Sequence, residues 1–280
     1  MADADADYDP AAEEVHWGHV TAVHPGDAAA WFNLGLARKY LRDWAGCAEA
    51  NHRSLEIEAP AEDPAWWNLG IAATALRDWE LARRAWRGYG IDRAMLPDGT
   101  GPIEVDWGRA PVRIVGPGEE QEVVWGRRIC PARIKIENVP FPSSGHRWGD
   151  VVLHDGAPNG ERVVDGRVYG VFDELERWSP SEIPTLDVAA RCERDADAEA
   201  LIEAFEAAHF SAEDWTANVR SLCAACSAGN LCSDAHAFPT AGIARRFGIA
   251  APLGLAGTVL HAWRSARPAT RDFDEPVVAG

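Results

Sequence analysis

The chain has 280 residues, of which 47% are hydrophobic and 25% charged, and it carries 13 tryptophans. That composition supports one large core or several modest ones and excludes a disordered chain. Its formal net charge of −17 repels phosphate backbones and anionic lipid, and no basic stripe offsets it, so general nucleic-acid and membrane-surface binding are both excluded as expectations.

The first residues, Met-Ala-Asp-Ala-Asp-Ala-Asp, lack the basic and apolar regions of a secretory signal. The longest weakly polar run, 249–260, is too short to span a bilayer and is broken by Gly and Pro. A cytoplasmic protein is expected, and its six cysteines are then expected to be reduced. Lys39 and Lys135 are the only lysines beside abundant Arg and Ala, which points to GC-rich coding of a bacterial kind.

After an acidic tail over 1–12, residues 13–23 read as a single helix closed by Pro25-Gly26. An internal repeat follows. Ala30-Trp31-Phe32-Asn33-Leu34-Gly35 returns as Ala65-Trp66-Trp67-Asn68-Leu69-Gly70, and Leu41-Arg42-Asp43-Trp44 returns as Leu76-Arg77-Asp78-Trp79, both at an offset of 35. Asp27 is placed to cap the first block, and Asp63-Pro64 gives the second a cap and a proline at its first helical position. Each unit therefore predicts a helix, a Leu-Arg-Asp turn and a second helix. Such a hairpin buries its apolar side only by stacking on neighbours.

These residues resemble the tetratricopeptide repeat family. Its W-x2-L-G signature is matched at Trp31, Leu34, Gly35 and at Trp66, Leu69, Gly70. Its second-helix aromatic is matched at Trp44 and Trp79, and the small residue three positions on at Cys47 and Ala82. The chain departs from the family in its 35-residue period, in Arg38 and Ala73 at an aromatic position, and in Asn51 where the second unit has Trp86. The resemblance covers about two and a half repeats, 13–96, and implies a groove for an extended peptide. Asn33 and Asn68 would bond the peptide backbone there, with Phe32 and Trp67 beside them. Leu36 and Ile71 stand where the carboxylate-clamp subgroup has Asn. Phe32 and Trp67 suit intramolecular packing equally, because a short array must hide its ends.

Past the turn-rich stretch 97–101, period 2 replaces period 3.6. Pro111-Val112-Arg113-Ile114 and Pro131-Ala132-Arg133-Ile134 each follow a Trp-Gly-Arg triplet and predict strands, the second with Arg133 and Lys135 outward. Val151–Leu153 predicts another strand. Asp165-Gly166, between Val163-Val164 and Arg167-Val168, predicts a type I′ hairpin, whereas Asp155-Gly156 reads as a plain turn. Residues 102–178 are thus an antiparallel β module. His146, Asp150, His154, Asp155 and Asp173 follow no recognised catalytic spacing.

The last third, 179–267, reads as an α/β segment. It has a strand over 185–192, a helix over 195–209, a helix opened by the Ser211/Asp214 capping-box pattern and running through Trp215, and a helix over 253–266. Residues 268–280 read as a loop tail. Within this segment Cys223, Cys226, Cys232 and His236 have the spacing of four zinc ligands. Packing as buried thiols, or a redox pair at Cys223 and Cys226, fits the same residues. The last three resemble CCCH zinc fingers in spacing, but the interval between the first two is shorter than in that family.

The sequence as a whole predicts an α+β multidomain chain with tetratricopeptide-like hairpins, a central antiparallel β module and a C-terminal α/β segment. The expected function is non-catalytic binding of a protein or extended peptide, with no nucleic acid and no membrane. Two alternatives stay open: an acidic immunity- or antitoxin-like protein that neutralises a basic partner, and a zinc-containing regulator or enzyme.

Overall fold

A computed structural model describes residues 8–118, 120–217 and 242–279. Two compact units divide the chain. One comprises Met1–Trp107, Arg128–Arg133 and Leu153–Gly156; the other comprises Gly108–Arg127, Ile134–Val152 and Ala157–Gly280.

The first unit is built on five helices: α1 (Pro10–Val23), α2 (Ala28–Tyr40), α3 (Trp44–Ile57), α4 (Pro64–Ala75) and α5 (Trp79–Tyr89). Each is N-capped by an aspartate, namely Asp9, Asp27, Asp43, Asp63 and Asp78, whose carboxylate accepts from backbone N–H groups of the first turn. Such a cap satisfies donors that a helix start otherwise leaves orphaned. The first helix begins at Pro10, earlier than its hydrophobic pattern suggested.

The two hairpin turns repeat bond for bond. Leu41, Arg42 and Asp43 donate to Ala37, Lys39 and Arg38, while Leu76, Arg77 and Asp78 donate to Ala72, Thr74 and Ala73. Arg42 and Arg77 both take left-handed backbone angles, φ 59° and 62°. Successive helices pack on one another, and α2 also meets α4. Their shared core contains Cys47, Leu55, Ala65, Leu69, Ala72 and Ala85, with Phe32, Trp44, Trp66 and Leu81 against it.

The repeat signature has a steric reason. A Cβ on Gly35 would lie 2.3 Å from Asn51 Nδ2, and one on Gly70 would lie 2.5 Å from Trp86. At equivalent places the first helix thus offers a bare glycine to a wedge on the second, and that wedge is Asn in one hairpin and Trp in the other.

In the second unit, strands β1 (Arg109–Val115), β2 (Gln121–Cys130), β3 (Arg133–Ile136), β4 (Val151–Val164) and β5 (Arg167–Ser179) form a closed barrel, of which the ends of β2 and β3 and residues 153–156 of β4 belong to the first unit. β1 runs antiparallel to β2, and the barrel closes by a parallel pairing of β1 and β5 at Val112/Phe172 and Arg113/Asp173. A meander of five strands must close in parallel, because its four antiparallel steps, an even number, bring first and last into the same direction. Ala110, Val112, Ile114, Val124, Ile134, Ile136 and Val152 fill the barrel with Phe172. The β4–β5 hairpin turns at Asp165 and Gly166, φ 50° and 75°, as a type I′ turn requires.

Four sequence expectations change here. The strand β2 has no counterpart among them. Asp155 and Gly156 lie inside β4 and form no turn. Arg133 is buried, not outward: its guanidinium lies over the Trp79 ring, 5.0 Å from the centroid, and donates to Ile103 O. Ser211–Asp214 is the strand β7, paired with the next strand, where the first turn of a helix was expected; the remainder of that expected helix past residue 217 lies outside the described residues.

The C-terminal sheet comprises β6 (Thr185–Cys192), β7, β8 (Ala244–Ala250), β9 (Arg271–Phe273) and β10 (Val277–Val278), with helices α6 (Asp195–Ala207) and α7 (Leu253–Ala266). The order is β10-β6-β8-β7, and β9 shares the outer edge of β6. Among the described residues, element order and antiparallel pairing give the β-α-β-β-α-β arrangement of ferredoxin-like domains. The expected C-terminal loop instead supplies both edge strands. Leu186, Val188, Ala190 and Cys192 face one side of β6, as their alternation predicts, and pack with Leu201, Phe205, Leu260 and Trp263. The fold is therefore mixed, with helices in the N-terminal part and two sheets of largely antiparallel strands.

Candidate functional site

In the first unit, α2 and α4 present the four residues that the repeat resemblance singles out. Asn33 is half-buried and Asn68 is buried; neither amide hydrogen-bonds within the chain among the described residues. Phe32 packs on the α3–α4 core. Trp67 lies against Trp86 and Tyr89, with ring centroids 5.1 and 4.8 Å away. It also covers Gly156, where a Cβ would lie 1.8 Å from Trp67 Nε1.

Beside Gly156, Lys39 at the end of α2 places its ammonium 2.9 and 3.0 Å from the two carboxylate oxygens of Asp155. The Tyr40 hydroxyl and the Gly156 N–H donate to the same carboxylate. Burial pushes the Asp155 carboxyl up, but the charge and hydrogen bond of Lys39 with the other two donors outweigh it and hold it below the ordinary value. His154 is fully buried, and burial with the Arg128 charge brings it down to about 3, so its ring stays neutral. The segment Leu153–Gly156 is thus an extended strand held by side chains of α2 and α4. On α3–α5, a cleft of about 410 Å³ lies over Ala48, Leu69 and Leu81, rimmed by His52 and Arg84.

In the second unit, sequence reasoning missed a cluster of titratable groups. Glu122 on β2 accepts from Phe141 N at 3.0 Å, and Glu213 on β7 accepts from Val139 N at 3.0 Å and from Asn138 Nδ2. Burial pushes Glu122 up to about 7, with the Glu213 charge adding to the rise and Phe141 N–H and His146 opposing it. Burial likewise raises Glu213.

His146 bonds Ser144 O through Nδ1 at 2.9 Å and Glu174 Oε1 through Nε2 at 2.8 Å. Both partners accept when Glu174 is ionised, so the ring then carries a proton on each nitrogen. Burial lowers the His146 pKa, but the hydrogen bond and charge of Glu174 outweigh it and leave it raised. His146 was visible in the sequence as a scattered residue. Glu122, Glu174 and Glu213 carried no signal, because their proximity is made by three different strands.

Asp150 is fully buried and caps the backbone at Arg147 and Ser181, while Asp173 pairs with Arg113. Both act within the fold. Cys223, Cys226, Cys232 and His236 lie outside the described residues. Among the described residues, no group of three or more His, Cys, Asp or Glu is placed to hold a metal ion. No helix is long and apolar enough to cross a membrane among them.

No protein-family model and no curated protein matches the chain. Among solved structures it is similar to a hypothetical protein from Neisseria gonorrhoeae at 12% identity and a TM-score of 0.25, over 63% of this chain and 97% of that one.

Proposed function

We propose that the chain is a non-catalytic interaction protein whose tetratricopeptide-like hairpins hold extended protein backbone. The observation that carries this reading is the strand Leu153–Gly156 on the side chains of α2 and α4: Lys39 and Tyr40 take its carboxylate, and Trp67 covers its glycine. Trp67, one of the four residues that the repeat resemblance singles out, thus already covers an extended segment. Asn33 and Asn68, with amides unpartnered among the described residues, would add a donor and an acceptor each to a partner's main chain.

A photo-crosslinking residue at position 32, followed by mass spectrometry of adducts from the native host, identifies that partner. Replacing both asparagines by alanine should then weaken its binding by about 1–3 kcal/mol, with the melting temperature nearly unchanged. A double mutant that melts early and keeps its partner makes the asparagines structural and ends this reading.

A further inference from the structure

The loop 138–141 is held from two sides within the second unit. Glu122 reaches it from the barrel strand β2 and Glu213 from β7 of the other sheet, and each carboxylate takes a backbone N–H of the loop, at Phe141 and Val139. Trp215, just beyond β7, donates its indole N–H to Val139 O at 2.9 Å and stacks on Phe141 with ring centroids 4.9 Å apart. The loop is therefore the piece through which these two carboxylates and Trp215 join the barrel to the C-terminal sheet.

Two carboxylates that grip residues two positions apart are close enough to repel when both are charged. Both carboxylates are partly buried, and among the described residues one cation opposes the repulsion at Glu122. That cation is the His146 imidazolium, which is engaged by Glu174 and also feels Asp150, itself 3.8 Å from Arg177. The set facing Glu122 is therefore Glu213 from β7, His146 from the loop after β3, Glu174 behind it on β5, and Asp150 with Arg177 at its far side.

We propose that the loop 138–141 is a pH-sensitive latch, closed while Glu122, Glu213 and His146 together hold a proton and released when that proton leaves. A protonated carboxyl still accepts a backbone N–H through its carbonyl oxygen, so protonation removes the repulsion without removing the grip. Loss of the proton charges both carboxylates and neutralises the histidine that balances them. An ionised carboxylate accepts the loop N–H groups more strongly, but burial and mutual repulsion outweigh that gain, so the latch is closed in mild acid and released above neutrality, in keeping with the raised values of all three groups.

Amide exchange at Val139 and Phe141, followed by NMR from pH 5.5 to 8.5 and normalised to unstructured rates, reads the latch directly. Protection should fall at least about tenfold as pH rises through neutrality, the equivalent of a one-unit displacement of a titration. Glu122→Gln keeps an acceptor oxygen and cannot ionise, so its protection should persist to pH 8.5. The fluorine resonance of 5-fluorotryptophan at position 215, assigned by loss in Trp215→Phe, should shift with the same midpoint in the wild type. PH-independent protection in the wild type overturns the proposal whatever the variant does. So does an identical fall in Glu122→Gln and Glu213→Gln.

Discussion

Lys39 holds Asp155 across 116 positions of sequence, with both partners buried and both carboxylate oxygens engaged. Removing one partner leaves an uncompensated charge, which costs far more than the pair itself contributes. Lys39→Met should lower stability by about 3–5 kcal/mol in a urea titration, and adding Asp155→Asn should restore part of it. Equal stability of the two variants would show that Asp155 is not stranded.

A second expectation concerns the glycines under the wedges. Gly70→Ala improves helix propensity by up to about 1 kcal/mol, but the new methyl meets the fully buried Trp86. Overpacking of this kind costs about 1–3 kcal/mol, so the net effect should be a lower melting temperature. Leu34→Asp and Leu69→Asp should each unfold the helical unit, since both leucines are buried and a charge there has no partner. Helical circular dichroism checks both.

Stability should fall on both sides of a maximum in mild acid. Asp155 and Asp197 titrate below their ordinary values when folded; for Asp197 the Arg194 hydrogen bond is the largest cause. Their contribution is present above about pH 4 and is lost as pH drops through the folded values. Glu122, at about 7, and His146 are shifted upward, so what they contribute is present at low pH and is lost as pH rises through neutrality. Each proton changes the unfolding free energy by at most about 1.4 kcal/mol per pH unit. Chemical denaturation at steps from pH 3 to 9 should trace this dome, and Glu122→Gln should flatten its alkaline side.

Asp197 is fully buried at the start of α6, where it receives Arg194 and Arg271 while its carbonyl takes the Trp263 indole N–H. Asp197→Ala leaves the buried Arg271 guanidinium with no carboxylate, only Trp263 O, and should cost about 3 kcal/mol or more, whereas Arg194→Ala, at the exposed side, should lower stability far less. Thermal melts of the two variants give the comparison.

What was legible in the sequence was local. The Asp27 and Asp63 caps, the Leu-Arg-Asp turns and the Asp165-Gly166 hairpin each depend on a few neighbouring residues, and the alternation of Leu186, Val188, Ala190 and Cys192 reports one buried face. Strand β2 was hidden because Glu122, Arg127 and Arg128 interrupt the alternation and Gly126 weakens it. That glycine is needed because a Cβ there would lie 2.5 Å from Lys135 O. Ser211 and Asp214 carry a helix-start pattern, but residues 211–214 themselves are extended because they pair with Phe247 to Ala250 on β8. Burial of Arg133 depends on Trp79 and Ile103, and the Glu122–Glu213 cluster on strands far apart in sequence, so neither leaves a spacing to read.

The common glycine beneath two different wedges makes the hairpin a unit that gene rearrangement can add or remove. An unequal exchange at the 35-residue offset always leaves a glycine facing whichever wedge follows, Asn51 or Trp86, so no hybrid hairpin inherits a clash at this point. The limit on such exchanges is set elsewhere. The position equivalent to Lys39 is Thr74, and a contraction that discards Lys39 removes the one cation bonded to Asp155 among the described residues. Array length is therefore free to drift only through breakpoints that lie C-terminal to Lys39.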